Sequence, residues 1–105
     1  MSTSDDDRGL SGFFSLLANP VVLELIEQVG FRHHSMPGLA EKLGRSPATI
    51  SKYTNRLDAW GIMKRVKVGR RLRYGLKDRE VLKIIQRGRK CLQALKPEGD
   101  PGIEG

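Results

Sequence analysis

One stretch limits what this chain can fold into more than any other. Leu39, Ala40 and Leu43 are followed by Gly44, then Ser46-Pro47, then Ile50. Ser-Pro is a strong helix start, because serine caps the free N–H groups and proline is already set to the first helical φ. Glycine accepts the positive φ that ends the preceding helix. The spacing therefore predicts one helix over about 36–43, a turn of three or four residues, and a second helix from Pro47 to Ala59 or Trp60, broken by Gly61. Two helices so joined form a helix-turn-helix. Each marked position has a steric reason: Ala40 is small where the second helix crosses, Gly44 turns the chain, and Ile50 fills the space between the helices.

The flanking segments extend this unit. Leu10, Phe13, Phe14, Leu16 and Leu17 mark a short first helix. Asn19-Pro20 starts another, which carries Val22, Leu25, Ile26 and Val29 at helical spacing and is expected to stop at Gly30 in a left-handed C′ conformation. A polar loop, residues 32–35, leads into the helix pair. Beyond Gly61 the period falls to two. Ile62, Val66 and Val68, then Leu72, Tyr74 and Leu76, alternate with Arg65, Lys67, Arg71 and Arg73 around Gly69-Arg70. This reads as a β-hairpin with one apolar and one basic face, and a three-residue loop is needed to put both apolar rows on the same side. Asp78 caps a last helix running to about Leu95, stopped by Pro97. The expected fold is mainly α with a small β-hairpin: a winged helix-turn-helix over 10–96, a two-stranded wing and a C-terminal dimerisation helix. Residues 1–9 and 97–105, poor in apolar groups, are expected to be disordered tails.

A chain of 105 residues has room for one modest core. No apolar run approaches the roughly 20 residues of a membrane span, and the polar start resembles no signal or transit peptide. The expected location is the cytoplasm, in association with the nucleoid. The net charge of +7 is unevenly placed: residues 1–63 hold six Lys/Arg against seven Asp/Glu, and residues 64–105 hold thirteen against five. The basic half asks for an anionic partner.

From Leu16 to Ile85 the chain resembles the ArsR-type winged helix-turn-helix regulators, and similar winged domains occur in archaeal regulators. The resemblance is carried by LLANPVVLELIEQV, LAEKLGRSPATISKYTNRL, WGIMKRVKVGRRLRYGL and KDREVLKII. It implies a transcriptional repressor that dimerises through its terminal helices, inserts the second helix of the motif into the major groove and lays its wing on the flanking backbone. The chain departs from the family in lacking the Cys-x-Cys pair of metal-sensing members, since the helix concerned reads MPGLAEKL, and in lacking the acid and histidine ligands of the other metal-sensing branch. No metal or other cofactor is expected. Arg45 and Thr54 stand where family members usually carry aliphatic residues.

With Ile50, Thr54 and Leu57 as the buried stripe of the second helix, a 100° step per residue places Ala48, Lys52, Asn55 and Arg56 outward, with Thr49 and Tyr53 at the edge. These are the candidate base readers. Short residues at its start let the helix enter the ~12 Å major groove, Arg56 or Lys52 can donate to guanine, and Asn55 can pair with adenine. Ser46 and the free N–H groups beside it suit a phosphate. Six of the ten residues from Lys64 to Arg73 are basic: Lys64, Arg65, Lys67, Arg70, Arg71 and Arg73. They are the candidate phosphate contacts, with Arg70 at the tip able to reach a narrow minor groove. In the last helix Val81, Ile85, Gly88, Leu92 and Leu95 repeat at steps of four and three, the seam of a helix pair. Ile85, Gly88, Leu92 and Leu95, with Phe13 and Phe14 alongside, are the candidate homodimer contacts. His33-His34 reads as an exposed loop pair and Cys91 as a packed thiol near that seam. No nucleophile and base arrangement, phosphate loop or paired carboxylates appear, so an enzyme is not expected. The partner expected is double-stranded DNA. Two other readings stay open: an architectural, chromatin-like protein coating DNA with little sequence preference, and a protein-interaction module docking through Tyr53, Trp60 and the apolar stripe.

Overall fold

The computed structural model describes residues 5–95. Five helices and three short strands follow in the order α1 (Asp5–Leu17), α2 (Pro20–Phe31), β1 (His34–Ser35), α3 (Met36–Leu43), α4 (Pro47–Ala59), β2 (Met63–Val68), β3 (Arg71–Leu76) and α5 (Glu80–Leu95). The cap signals work as their chemistry requires. Asn19 Oδ1 accepts from Val21 N at 2.8 Å, Ser35 Oγ from Gly38 N at 3.1 Å, Ser46 Oγ from Thr49 N at 3.1 Å, and Asp78 Oδ1 from Glu80 N at 2.9 Å. Gly44 closes α3 in the left-handed region at φ 61°. Gly61 and Gly69 also hold positive φ.

The core lies between α2, the α3–α4 pair, the base of the sheet and the first turns of α5. Val22, Leu25, Ile26, Leu39, Ile50, Leu57 and Met63 are almost fully enclosed; each large aliphatic side chain taken out of water contributes about 1.5–3 kcal/mol. Thr54 is enclosed with them, and its hydroxyl donates to Ser51 O at 3.1 Å. A helical hydroxyl can satisfy itself on the preceding turn, so a polar residue fills an aliphatic slot without leaving α4 poorly packed.

Several expectations need correction. The first helix begins at Asp5, so residues 5–9 are helical and not part of a tail; the rest of the expected tails, 1–4 and 97–105, lies outside the described residues. Gly30 does not end α2, which continues to Phe31. Its small size is used for packing instead: a Cβ there would lie 2.8 Å from Leu82 Cδ2 and 3.3 Å from Leu76 Cδ1. The loop before α3 contains a strand, β1, which pairs antiparallel with β3 through His34↔Tyr74 and Ser35↔Arg73, making a sheet of order β1-β3-β2.

The hairpin loop has two residues, because Val68 pairs with Arg71. Positive φ at Gly69 but not at Arg70 is the pattern of a II′ turn, whose twist matches that of the strands it joins. With this register, residues directly opposite share a face. Met63, Arg65 and Lys67 lie with Leu76, Tyr74 and Leu72; Lys64, Val66 and Val68 lie with Gly75, Arg73 and Arg71. Neither face is purely apolar or purely basic. The base of the first face, Met63, Tyr74 and Leu76, enters the core, and the outer half of the hairpin projects into solvent with cations on both sides.

Candidate nucleic-acid interface

Helix α4 presents the face expected of it. Ile50, Thr54 and Leu57 are buried; Ala48, Lys52, Asn55 and Arg56 are exposed, and Thr49 and Tyr53 are half-buried at the edges. Ser46 stands exposed at the helix start, where its hydroxyl also donates to Thr49 Oγ1 at 3.0 Å. Tyr53 organises its neighbours. Its hydroxyl accepts from Asn19 Nδ2 at 3.1 Å, so the cap of α2 ties the edge of α4 to the scaffold. Lys52 Nζ and Arg56 Cζ lie 5.3 Å and 5.9 Å from its ring centroid, within the range at which an aromatic face attracts a cation. Both long cations are thereby steered to the exposed face.

Helix and wing are joined by a contact that spacing alone did not reveal. Arg65, on β2, donates from Nη2 to Asn55 Oδ1 at 2.6 Å and approaches Asp58 Oδ2 at 3.9 Å, while its guanidinium sits 5.8 Å from the Tyr74 ring centroid. The amide oxygen of Asn55 is therefore engaged, and its NH2 group is the part left for a base. Asn55 and Arg65 stand ten residues apart across the α4–β2 connection, and only the fold places the two together. Among the other wing cations, Lys67, Arg70 and Arg71 are exposed around the tip, Arg73 is half-buried, and Lys64 lies on the opposite sheet face from Arg65.

The residues expected at a dimer seam separate into two groups. Phe14, Ile85, Gly88 and Leu92, joined by Leu17, Leu23 and Ile84, line an apolar groove of about 290 Å³ between α1, α2 and α5. Arg89 closes its edge, paired through two hydrogen bonds with Glu27, one of 3.0 Å, which raises the guanidinium pKa further. Phe13 instead turns toward the core and lies 6.3 Å, centroid to centroid, from Trp60. Leu95 is exposed at the end of α5. Ile84, beside the four-and-three repeat of α5, and Leu17 and Leu23, on α1 and α2, are additions. Cys91 is exposed, not packed. Among the described residues no three His, Cys, Asp or Glu side chains gather as metal ligands would, and no single helix is long and apolar enough to cross a membrane.

No family model and no curated protein matches the sequence. Solved structures do match. Rv0081 of M. tuberculosis aligns with a TM-score of 0.81 at 19% identity, covering 89% of this chain and 94% of its own. Mb0332 of Mycobacterium bovis, described as a homodimeric winged helix-turn-helix DNA-binding domain and a possible ArsR-family regulator, aligns at 0.72 and 16% identity over 94% of this chain and 95% of its own. The fold is a winged helix-turn-helix. An ArsR-like transcriptional regulator of Rhodococcus sp. RHA1 shares it at 29% identity and a TM-score of 0.68, over 89% and 84% of the two chains. Of these three, Mb0332 is described as a possible transcriptional regulator and the Rhodococcus protein as a transcriptional regulator. Within this winged helix-turn-helix, α4 is the second helix of the motif and β2–β3 the wing.

Proposed function

We propose that the chain is a double-stranded DNA-binding transcriptional regulator, acting as a repressor that occludes promoter DNA. The observation that carries this reading is the exposed side of α4, where Lys52, Asn55 and Arg56 project, joined through the Arg65–Asn55 bond to a wing whose outer half is rich in exposed cations. Base edges carry sequence information and phosphates do not. Recognition by α4 in the major groove would therefore set specificity, and Ser46, Arg65, Lys67, Arg70, Arg71 and Arg73 would supply backbone affinity, whereas Lys64, at the base of the wing on the face away from Arg65, would not. A ribbon with cations on both faces suits a groove walled by phosphates on either side, and Gly69-Arg70 at its tip would reach the minor groove. With Asn55 Oδ1 occupied by Arg65, the pair offers donors to acceptors such as guanine N7 and O6, in preference to the bidentate adenine contact that needs a free amide oxygen.

The regulator would work as a homodimer over 10–96. Phe14 and Leu92 are about half exposed around the groove, and Gly88 has nothing within 4 Å of where a Cβ would stand. Its smallness is thus unexplained by the chain's own packing and suits close approach of a second α5. That Mb0332, of the same fold, is described as homodimeric supports a dimer. Selection of bound sites from random duplexes tests the function: an inverted repeat with half-sites about one helical turn apart is expected, while a flat profile would replace the repressor by an architectural DNA-coating protein.

A further inference from the structure

The side of the sheet turned away from α4 carries a cleft that DNA binding leaves unused. It has a volume of about 540 Å³ and lies where the end of α2, the base of the wing and the start of α5 meet. Phe31, Arg32 and His33 form one wall, Lys64 and Lys77 a second, and Arg79 a third. Two glycines bring these walls together. Gly30 lets α2 close on Leu82 of α5, and the imidazole of His33 lies flat against Gly75, where a Cβ would come within 2.4 Å of His33 Cδ2 and 3.5 Å of Lys64 Cε. A glycine inside a strand marks such a close approach. Arg79 is held by one bond, from Nη1 to Gly30 O at 2.9 Å, which leaves its other N–H donors free.

The charge of the cleft is unanswered. Arg45, Arg65, Lys83 and Arg89 each have a carboxylate partner. Among the described residues Arg32, Lys64, Lys77 and Arg79 have none, and no acidic side chain lines the cleft. Phe31, at 86% exposure the most exposed large apolar residue of the described chain, stands at the rim of this cation cluster. A bare aromatic ring among unpaired arginine and lysine is the combination that stacks a planar base and holds its phosphate.

We propose that this cleft binds a small phosphorylated ligand bearing a planar ring, the chemistry of a mononucleotide. Its ring stacks on Phe31 and its phosphate is held by Arg32, His33, Lys64 and Arg79. The site is separate from the two surfaces described above. Successive strand residues alternate faces, so Lys64 points away from the side where Arg65 meets α4. The cleft and the apolar groove of α1, α2 and α5 share no lining residue. An occupant would bridge the wing strands to α5 without displacing DNA or a second copy.

The test is a titration of the full chain, without DNA, by AMP, adenosine and inorganic phosphate, followed by ¹⁵N–¹H NMR. Because no duplex is present, its outcome is independent of the DNA-binding reading. AMP is expected to shift residues 30–33, 64 and 76–79 and to bind at least tenfold more tightly than adenosine or phosphate. Phe31→Ala, at an exposed position where folding is not at risk, should bring AMP down to the level of phosphate, and Arg32→Ala should weaken AMP severalfold. Shifts centred on α4 or the wing tip, phosphate binding as tight as AMP, unchanged AMP affinity in Phe31→Ala, or no binding at millimolar AMP would each overturn the proposal. So would a short single-stranded oligonucleotide binding the cleft tenfold more tightly than AMP, which would assign the site to nucleic acid.

Discussion

Gly30 illustrates how one residue type carries different messages. A glycine after a periodic apolar run usually marks a left-handed helix end, and that reading fits Gly44, which has φ 61°. At Gly30 the backbone stays helical and the missing Cβ is what matters, because Leu82 and Leu76 occupy its place. The sequence pattern is the same in both cases; only the partner from α5, some fifty positions away, separates them. Gly30→Ala gains up to about 1 kcal/mol of helix propensity but overpacks a buried contact at a cost of about 1–3 kcal/mol. The variant should therefore unfold at a lower urea concentration than the parent chain. A midpoint raised by the substitution would show that the Leu82 side chain yields freely and that the contact is not tight.

At the scale of elements, the helices were legible because their start and stop signals are local. Asn19-Pro20, Ser46-Pro47, Gly44 and Gly61 each act through their own backbone and the next three or four residues. The sheet was less legible. A two-residue strand such as His34–Ser35 has no period to detect, and the wing register turned on whether Arg70 adopts ordinary φ beside Gly69. The exposed stripe of α4 was readable from period alone, whereas the Arg65–Asn55 bond followed only from the register. Strand β1 also carries a titrating group. Burial first, and then the charges of Arg32, Lys42 and Arg73, hold the His34 imidazole below its usual range, against a smaller opposing hydrogen bond at Gln28. A histidine depressed in the folded state binds its proton more readily when unfolded, so its contribution is fully present above the unfolded value of 6.5 and is lost as pH falls through the folded value. Between pH 7 and pH 5 the thermal midpoint of the parent should fall further than that of His34→Gln. Parallel falls would mean that His34 is not a source of acid sensitivity.

For the whole molecule, the proposed regulator would divide assembly, at the apolar groove of α1, α2 and α5, from recognition, at the basic side of α4 and the wing. Leu92 is half exposed in the single chain, so an aspartate there should leave the fold intact. In a dimer the same carboxylate would be buried without a partner, at a cost of several kcal/mol. Light scattering of Leu92→Asp should report a monomer with unchanged circular dichroism; a persisting dimer would place the interface on another surface.

The central claim is that α4 reads bases while the wing holds phosphates, and the affinities of Arg56→Ala and Arg73→Ala for a selected site and for random duplex, measured across a salt series, test it most directly. Arg73→Ala should weaken both duplexes alike and reduce the slope of log K against log salt by about 1. Arg56→Ala should cost about 1–3 kcal/mol on the selected site and much less on random DNA. Equal losses on both duplexes for both variants would contradict the account, leaving α4 as one more phosphate contact.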